Sequence, residues 1–219
     1  MKRLSLRDNQ FRIIDSGHET HVFDDPELDV VIVDAAPVSR QYYAGEFDPS
    51  APKAPTCWSD DTARPSPNVP EAQREAVRCI DCPKDIRGSG SNGGRACRYS
   101  QRIVVSIDEY QDVYALQLSA TSVFGSDSSG MPLQAYAKFL AARNVSAISV
   151  VTQMSFDRSS HTPKLFFRAV RPLEQDEFNN VRDLKNDPDT KKLLQFETVV
   201  PQPSSMPFSV VEGGYANGD

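Results

Sequence analysis

Short apolar, β-branched runs set between polar turns dominate this chain, and only one stretch carries a clean helical spacing. Phe11-Arg12-Ile13-Ile14 predicts a strand that ends at the polar turn near Ser16-Gly17. Asp29-Val30-Val31-Ile32-Val33 predicts a second, bracketed by Pro26 and Pro37. Residues 102–107 and 112–118 read as a hairpin closed by Asp108-Glu109-Tyr110-Gln111. Residues 148–152 and 165–170 read as another, joined by the polar stretch Asp157-Arg158-Ser159-Ser160-His161. Between the hairpins Pro132 stands where a first helical turn tolerates it, and Leu133, Tyr136, Ala137 and Leu140 follow at i, i+3, i+4 and i+7. That spacing predicts a helix with one apolar face, packed on a sheet. Residues 174–192 predict two short polar helices broken at Pro188.

Two stretches lack such a pattern. Proline, serine and aspartate fill residues 45–70, and Gly88-Ser89-Gly90-Ser91-Asn92-Gly93-Gly94 is looser still, so both read as loop. The order of elements is then two strands, a loop-rich insertion over about 55–100, a hairpin, a helix, a second hairpin and a polar helical end. This suits a β-rich α+β domain over residues 1–200, most simply an OB-like antiparallel barrel, a class whose open face commonly binds single-stranded nucleic acid. Residues 201–219 read as a disordered, mildly acidic tail.

Composition narrows this only slightly. A net charge of −6 argues against a wholly basic nucleic-acid coat. The charge is uneven, however: Arg74, Arg78, Lys84, Arg87, Arg95, Arg98 and Arg102 crowd the insertion, while no basic residue follows Lys192. No apolar run reaches membrane-spanning length, and the N-terminus lacks a signal-peptide core, which predicts a protein of the cell interior with no membrane segment.

The four cysteines, Cys57, Cys79, Cys82 and Cys97, all fall in the insertion. Cys79-x-x-Cys82 is a knuckle that brings two thiolates onto one ion at about 2.3 Å, and the two distant cysteines complete a tetrahedral shell. The expectation is a structural zinc ion that folds a loop too poor in apolar residues to fold itself. The alternatives are two disulfides, which need an oxidising compartment, a redox pair, which belongs at a helix start, and four free buried thiols.

Aromatic rings and arginines are interleaved around these cysteines, a mixture that suits single-stranded nucleic acid because every base offers a π-face and every linkage a phosphate. Tyr42, Tyr43, Trp58 and Tyr99 are the stacking candidates; Arg87, Arg95, Arg98 and Arg102 are the phosphate candidates. The plainer reading is that the rings form a satellite core around the insertion. Catalytic signals are thin: His18, His21 and His161 are scattered, the glycine run lacks the Lys-Ser/Thr of a P-loop, and Asp24-Asp25 and Asp60-Asp61 read as turns. No enzymatic activity is expected.

Tyr42-Tyr43, Pro55-Thr56-Cys57-Trp58-Ser59-Asp60-Asp61, Cys79-x-x-Cys82-Pro83 and Ala96-Cys97-Arg98 resemble a group of tailed-phage proteins regarded as single-stranded-DNA-binding proteins. The likeness continues in Val150-Val151-Thr152-x-Met154-Ser155-Phe156-Asp157 and Lys164-Leu165-x-Phe167 and covers roughly residues 29–195. In outline the chain is also similar to the helix-destabilising proteins of T-even phages, although their zinc site uses histidine beside cysteine. The resemblance implies a protein that coats exposed strands during phage DNA replication or recombination in the cytoplasm of a bacterial host, with replication or recombination proteins as partners for its C-terminal segment. The alternative is a zinc-stapled structural or adaptor protein, such as a virion component, that binds other proteins.

Overall fold

The computed structural model describes residues 2–45, 54–91, 93–107, 110–125 and 129–195. The expected tail over 201–219 and Asp108 and Glu109 of the first hairpin's turn lie outside these residues. Among the described residues nine strands form one sheet: β1 (Arg3–Arg7), β2 (Gln10–Asp15), β3 (His18–Val22), β4 (Glu27–Tyr42), β5 (Cys57–Ser59), β6 (Cys97–Ser106), β7 (Val113–Ser119), β8 (Val150–Phe156) and β9 (Leu165–Pro172). Their order is β3-β2-β1-β7-β6-β4-β8-β9, with β5 attached to β4. The sheet is strongly curled into a half-barrel within a mixed α+β, strand-rich fold. It is not wholly antiparallel, because β1 runs parallel to β7 with Arg3 opposite Ala115 and Leu4 opposite Leu116.

The long strand β4 makes the corner. Its first residues pair with β8, Leu28 opposite Met154, and from Val31 onward it pairs with β6. The run Val30-Val31-Ile32-Val33 is apolar on successive positions because both faces of β4 are covered there: Val30 and Ile32 join one core, Val31 and Val33 the other. Pro37, expected to end the strand, instead sits where the register shifts between Ala35 and Val38, a bulge in which a missing N–H costs no ladder bond.

The larger core lies on one face and is built from Ile103, Val105, Leu116, Leu118, Met154 and Phe167 with the helix α2 (Leu133–Ala141). Buried Tyr136 of α2 ties that helix to the sheet through a 2.7 Å hydrogen bond with the Thr152 hydroxyl. A one-turn helix, α1 (Ala120–Val123), closes the same side. On the other face α3 (Gln175–Asn186) and α4 (Pro188–Leu194) cover a smaller core through Val181 and Leu193. The break between them falls at Pro188, as the sequence predicts, and Asp187 caps α4 by accepting the Asp189 N–H at 2.7 Å.

Candidate metal and nucleic-acid site

The insertion hangs from the far end of β4. Residues Arg40 to Tyr42 pair on one edge with β5 and on the other with the start of β6. Cys57 and Cys97 therefore both stand opposite Tyr42, on strands either side of it. The knuckle is folded by consecutive tight turns: Cys82 N–H bonds to Cys79 O at 3.2 Å and Asp85 N–H to Cys82 O at 3.0 Å. Cys79 N–H to Ala63 O, at 2.9 Å, docks the knuckle on the stretch that follows β5.

All four thiols line one small cavity of about 20 Å³, together with Arg40, Tyr42, Ser59 and Glu75. Cys79, Cys82 and Cys97 are buried and Cys57 is half-buried. Burial, with the neighbouring Cys82 thiol next in weight, pushes the Cys97 thiol up to about 12, and burial also raises Cys57 and Cys79. The volume admits a body the size of one water molecule or ion. Among the described residues no group of three or more His, Cys, Asp or Glu side chains is arranged to hold a metal ion. In donor chemistry the set fits a thiophilic ion: four sulfur ligands, no competing imidazole, and a buried cation, Arg40, against them.

Arg40 is 7% exposed. Its Nη1 meets Asp85 Oδ2 at 2.6 Å and donates to Cys79 O at 3.3 Å, and its Nη2 donates to the Tyr99 hydroxyl. Asp85 is shared with Arg95, whose Nη1 lies 2.8 Å from its other oxygen.

Strand alternation divides the aromatic and basic candidates between two faces. Tyr42 and Tyr99 lie on the cysteine face. The Tyr42 ring is covered by Lys84 Nζ at 5.0 Å; the Tyr99 ring has the Arg40 guanidinium 4.2 Å from its centroid and the Phe124 ring edge-on at 5.6 Å. Both rings are thus occupied by protein. On the opposite face Trp58, Gln41 and Arg98 form one cross-strand row. Tyr43 joins it by donating its hydroxyl to Gln41 Oε1 at 2.8 Å, and Ser39 and Ser100 form the next row. Arg102 follows two residues along β6 from Ser100.

A cleft of about 370 Å³ opens on that second face, lined by Pro37, Ser39, Trp58, Asn68, Arg102 and Gln195, among others. Its volume is in the range of small-ligand sites. Trp58 belongs to its wall but is only 6% exposed, so its ring is largely core, as the satellite-core reading expects. Tyr43, 48% exposed, is the most open of the candidate rings. Arg102 points at the end of α4, donating to the carbonyls of Leu193 and Gln195, so part of its charge is already engaged. Arg87 and Arg98 are exposed, with no ion-pair partner among the described residues, whereas Arg78 pairs with Asp81 and Lys84 with Glu75. The basic excess of the insertion is therefore partly neutralised within it.

The acidic pairs behave as turns. Asp61 accepts the Ala63 N–H at 2.8 Å and the Ser59 hydroxyl at 3.1 Å, and Asp25 accepts the Glu27 N–H at 2.9 Å. Among the described residues no helix is long and apolar enough to cross a membrane. Compared with known proteins, the chain matches no family model, no curated protein and no solved structure.

Proposed function

We propose that this protein binds single-stranded DNA with little sequence preference, coating exposed strands in phage-type replication or recombination within a bacterial host's cytoplasm, and that a structural zinc ion on its four cysteines holds the binding surface in shape. The observation that carries this reading is the sorting of residues at the end of β4. The Cys57 and Cys97 thiols occupy one face, while Trp58, Tyr43, Arg98 and Arg102 lie on the other, where Trp58 and Arg102 line a cleft. Rings and guanidinium groups on one polar surface are what a flexible strand of bases and phosphates requires. The strand β5 has only three residues, too few to stay paired on its own strength, so an ion bound behind it would keep the Trp58 wall in place. The curled half-barrel with a stapled loop at one end agrees with an OB-like architecture. We assign no catalytic role, and partners among replication or recombination proteins remain part of this proposal.

Trp58 is the chain's only tryptophan and lines both the cleft and the cysteine cavity, so at constant metal loading its emission reports on the cleft. Titrating zinc-loaded protein with oligo-dT is expected to change that emission in a saturable, salt-sensitive way, while duplex of equal length changes it little. Unaltered emission at low salt, with no binding by any other probe, would contradict the reading.

A second reading is favoured by a separate observation. Val77, Ile80 and Ile86 are 84%, 76% and 64% exposed on the loop that carries the cysteine knuckle. Exposed aliphatic side chains concentrated on one loop suit a protein partner, as in a zinc-stapled adaptor. Replacing all three with serine would leave DNA binding intact under the first reading and remove partner binding under the second.

A further inference from the structure

Arg40 carries a feature that its visible partners leave unexplained. Its Nη1 and Nη2 are bonded to Asp85, the Cys79 carbonyl and Tyr99, yet its Nε–H is buried without a partner among the described residues. An arginine donor out of contact with water and unbonded is costly, and buried charges persist where an opposite charge faces them. Arg40 lines the same cavity as the four thiols.

Resting on the zinc reading above, we infer that Arg40 is the charge-balancing residue of the four-cysteine centre, its Nε–H donating to a metal-bound thiolate of Cys79 or Cys97. A divalent ion on four thiolates bears a net charge of −2, which a low-dielectric pocket resists. Arg40 offsets half of it, and its contact with Asp85 holds the guanidinium in place. Arg95, sharing Asp85, keeps that carboxylate from cancelling Arg40 outright. Arg40 is a positioning residue here rather than a ligand. Outer-shell partners of this kind commonly set metal affinity by ~10–100-fold.

The test uses the full chain loaded with ¹¹³Cd or zinc. In the ¹H–¹⁵N spectrum of the cadmium protein, an Arg40 Nε–H resonance should show a scalar coupling to ¹¹³Cd across the sulfur, and Arg40→Lys should remove that resonance. Zinc release to a competing chelator should be at least ~10-fold faster in Arg40→Met than in the parent, with Arg40→Lys between them. Metal-loaded protein whose Arg40 Nε–H exchanges freely and shows no coupling would overturn the assignment, as would unchanged release from a folded Arg40→Met. A parent chain that takes up neither metal would overturn the zinc reading itself, and this inference with it.

Discussion

Cys57 and Cys97, far apart in sequence, both lie directly opposite Tyr42, one on each strand that flanks the end of β4. That register brings two thiols to the same face at the same height, two strand spacings apart or about 10 Å at the backbone, and Cys79 and Cys82 of the knuckle line the same cavity. The β4 end is thus a hinge between two chemistries: thiols behind, aromatic and basic side chains in front.

If the thiols hold zinc, its removal should loosen the insertion and spare the rest. Chelation should strip hydrogen-exchange protection from residues 57–97 while β7, β8 and β9 stay protected, and should lower the melting midpoint. At free zinc a thousand times its dissociation constant the linkage is worth about 4 kcal/mol. Cys97→Ser should melt at the chelated temperature and no longer respond to chelator. A parent melt indifferent to chelator would argue for free thiols.

Arg95 and Arg98 stand three residues apart in sequence but differ in surroundings. Arg98 stands in the row with Trp58, whereas Arg95 is tied to Asp85. Arg98→Ala should weaken oligo-dT binding and flatten the salt dependence by up to about 0.7 in log–log slope, the share of one phosphate contact on a single strand. Arg95→Ala should change the slope less. Equal effects would remove the face assignment.

Gly130 has no space for a side chain: an added Cβ would stand 2.4 Å from Cγ of Phe166. Gly130→Ala should destabilise by about 1–3 kcal/mol through overpacking. The change should appear as a lower urea midpoint at unchanged m-value. A midpoint within experimental error of the parent would show that the ring yields.

Asp157 and Glu177 are two carboxylates that contribute to acid stability. Asp157 is held down at about 2 by Lys164, with Ser159 assisting, and Glu177 at about 2 by the two-pronged Arg171 contact. Both titrate lower in the folded chain than their ordinary values of 3.8 and 4.5, so their contribution is complete above that range and fades as pH falls toward 2. Urea midpoints should be flat from neutral pH to about 5 and then decline, with a shallower decline in Asp157→Asn. An equal decline in that variant would point to other carboxylates.

The fold was legible where burial is one-sided or complete. Strands at Phe11, Val30, Ile103, Leu116, Val151 and Phe166, the α2 helix and the break at Pro188 all follow from local pattern. Three strands escaped it. β3 reads His-Glu-Thr-His-Val and is exposed, so no apolar alternation marks it, and β5 is held by pairing rather than composition. β1 pairs in parallel with a strand distant in sequence. The continuation of β4 past Pro37 depends on a bulge that only register reveals.

The candidate site was half legible. Cysteine spacing pointed to one cluster, and all four thiols do line one cavity. Which rings and arginines share a face could not be read, because that depends on which residues stand opposite one another in β4, β5 and β6. Register separates Tyr42 and Tyr99 from Tyr43, Trp58, Arg98 and Arg102, and burial removes most of the Trp58 ring from solvent. Arg40 gave no signal at all, since a lone arginine in a strand looks like surface until its burial and its partner Asp85 are seen.

The most direct test of the central claim is a fluorescence-anisotropy titration of labelled oligo-dT and of its duplex with zinc-loaded protein across a salt series. The account predicts tight binding of the single strand, poor binding of the duplex, and an affinity that falls as salt rises. Failure to bind the single strand at low salt, by protein whose zinc content has been verified, would contradict it and leave the exposed Val77, Ile80 and Ile86 loop as the surface to pursue.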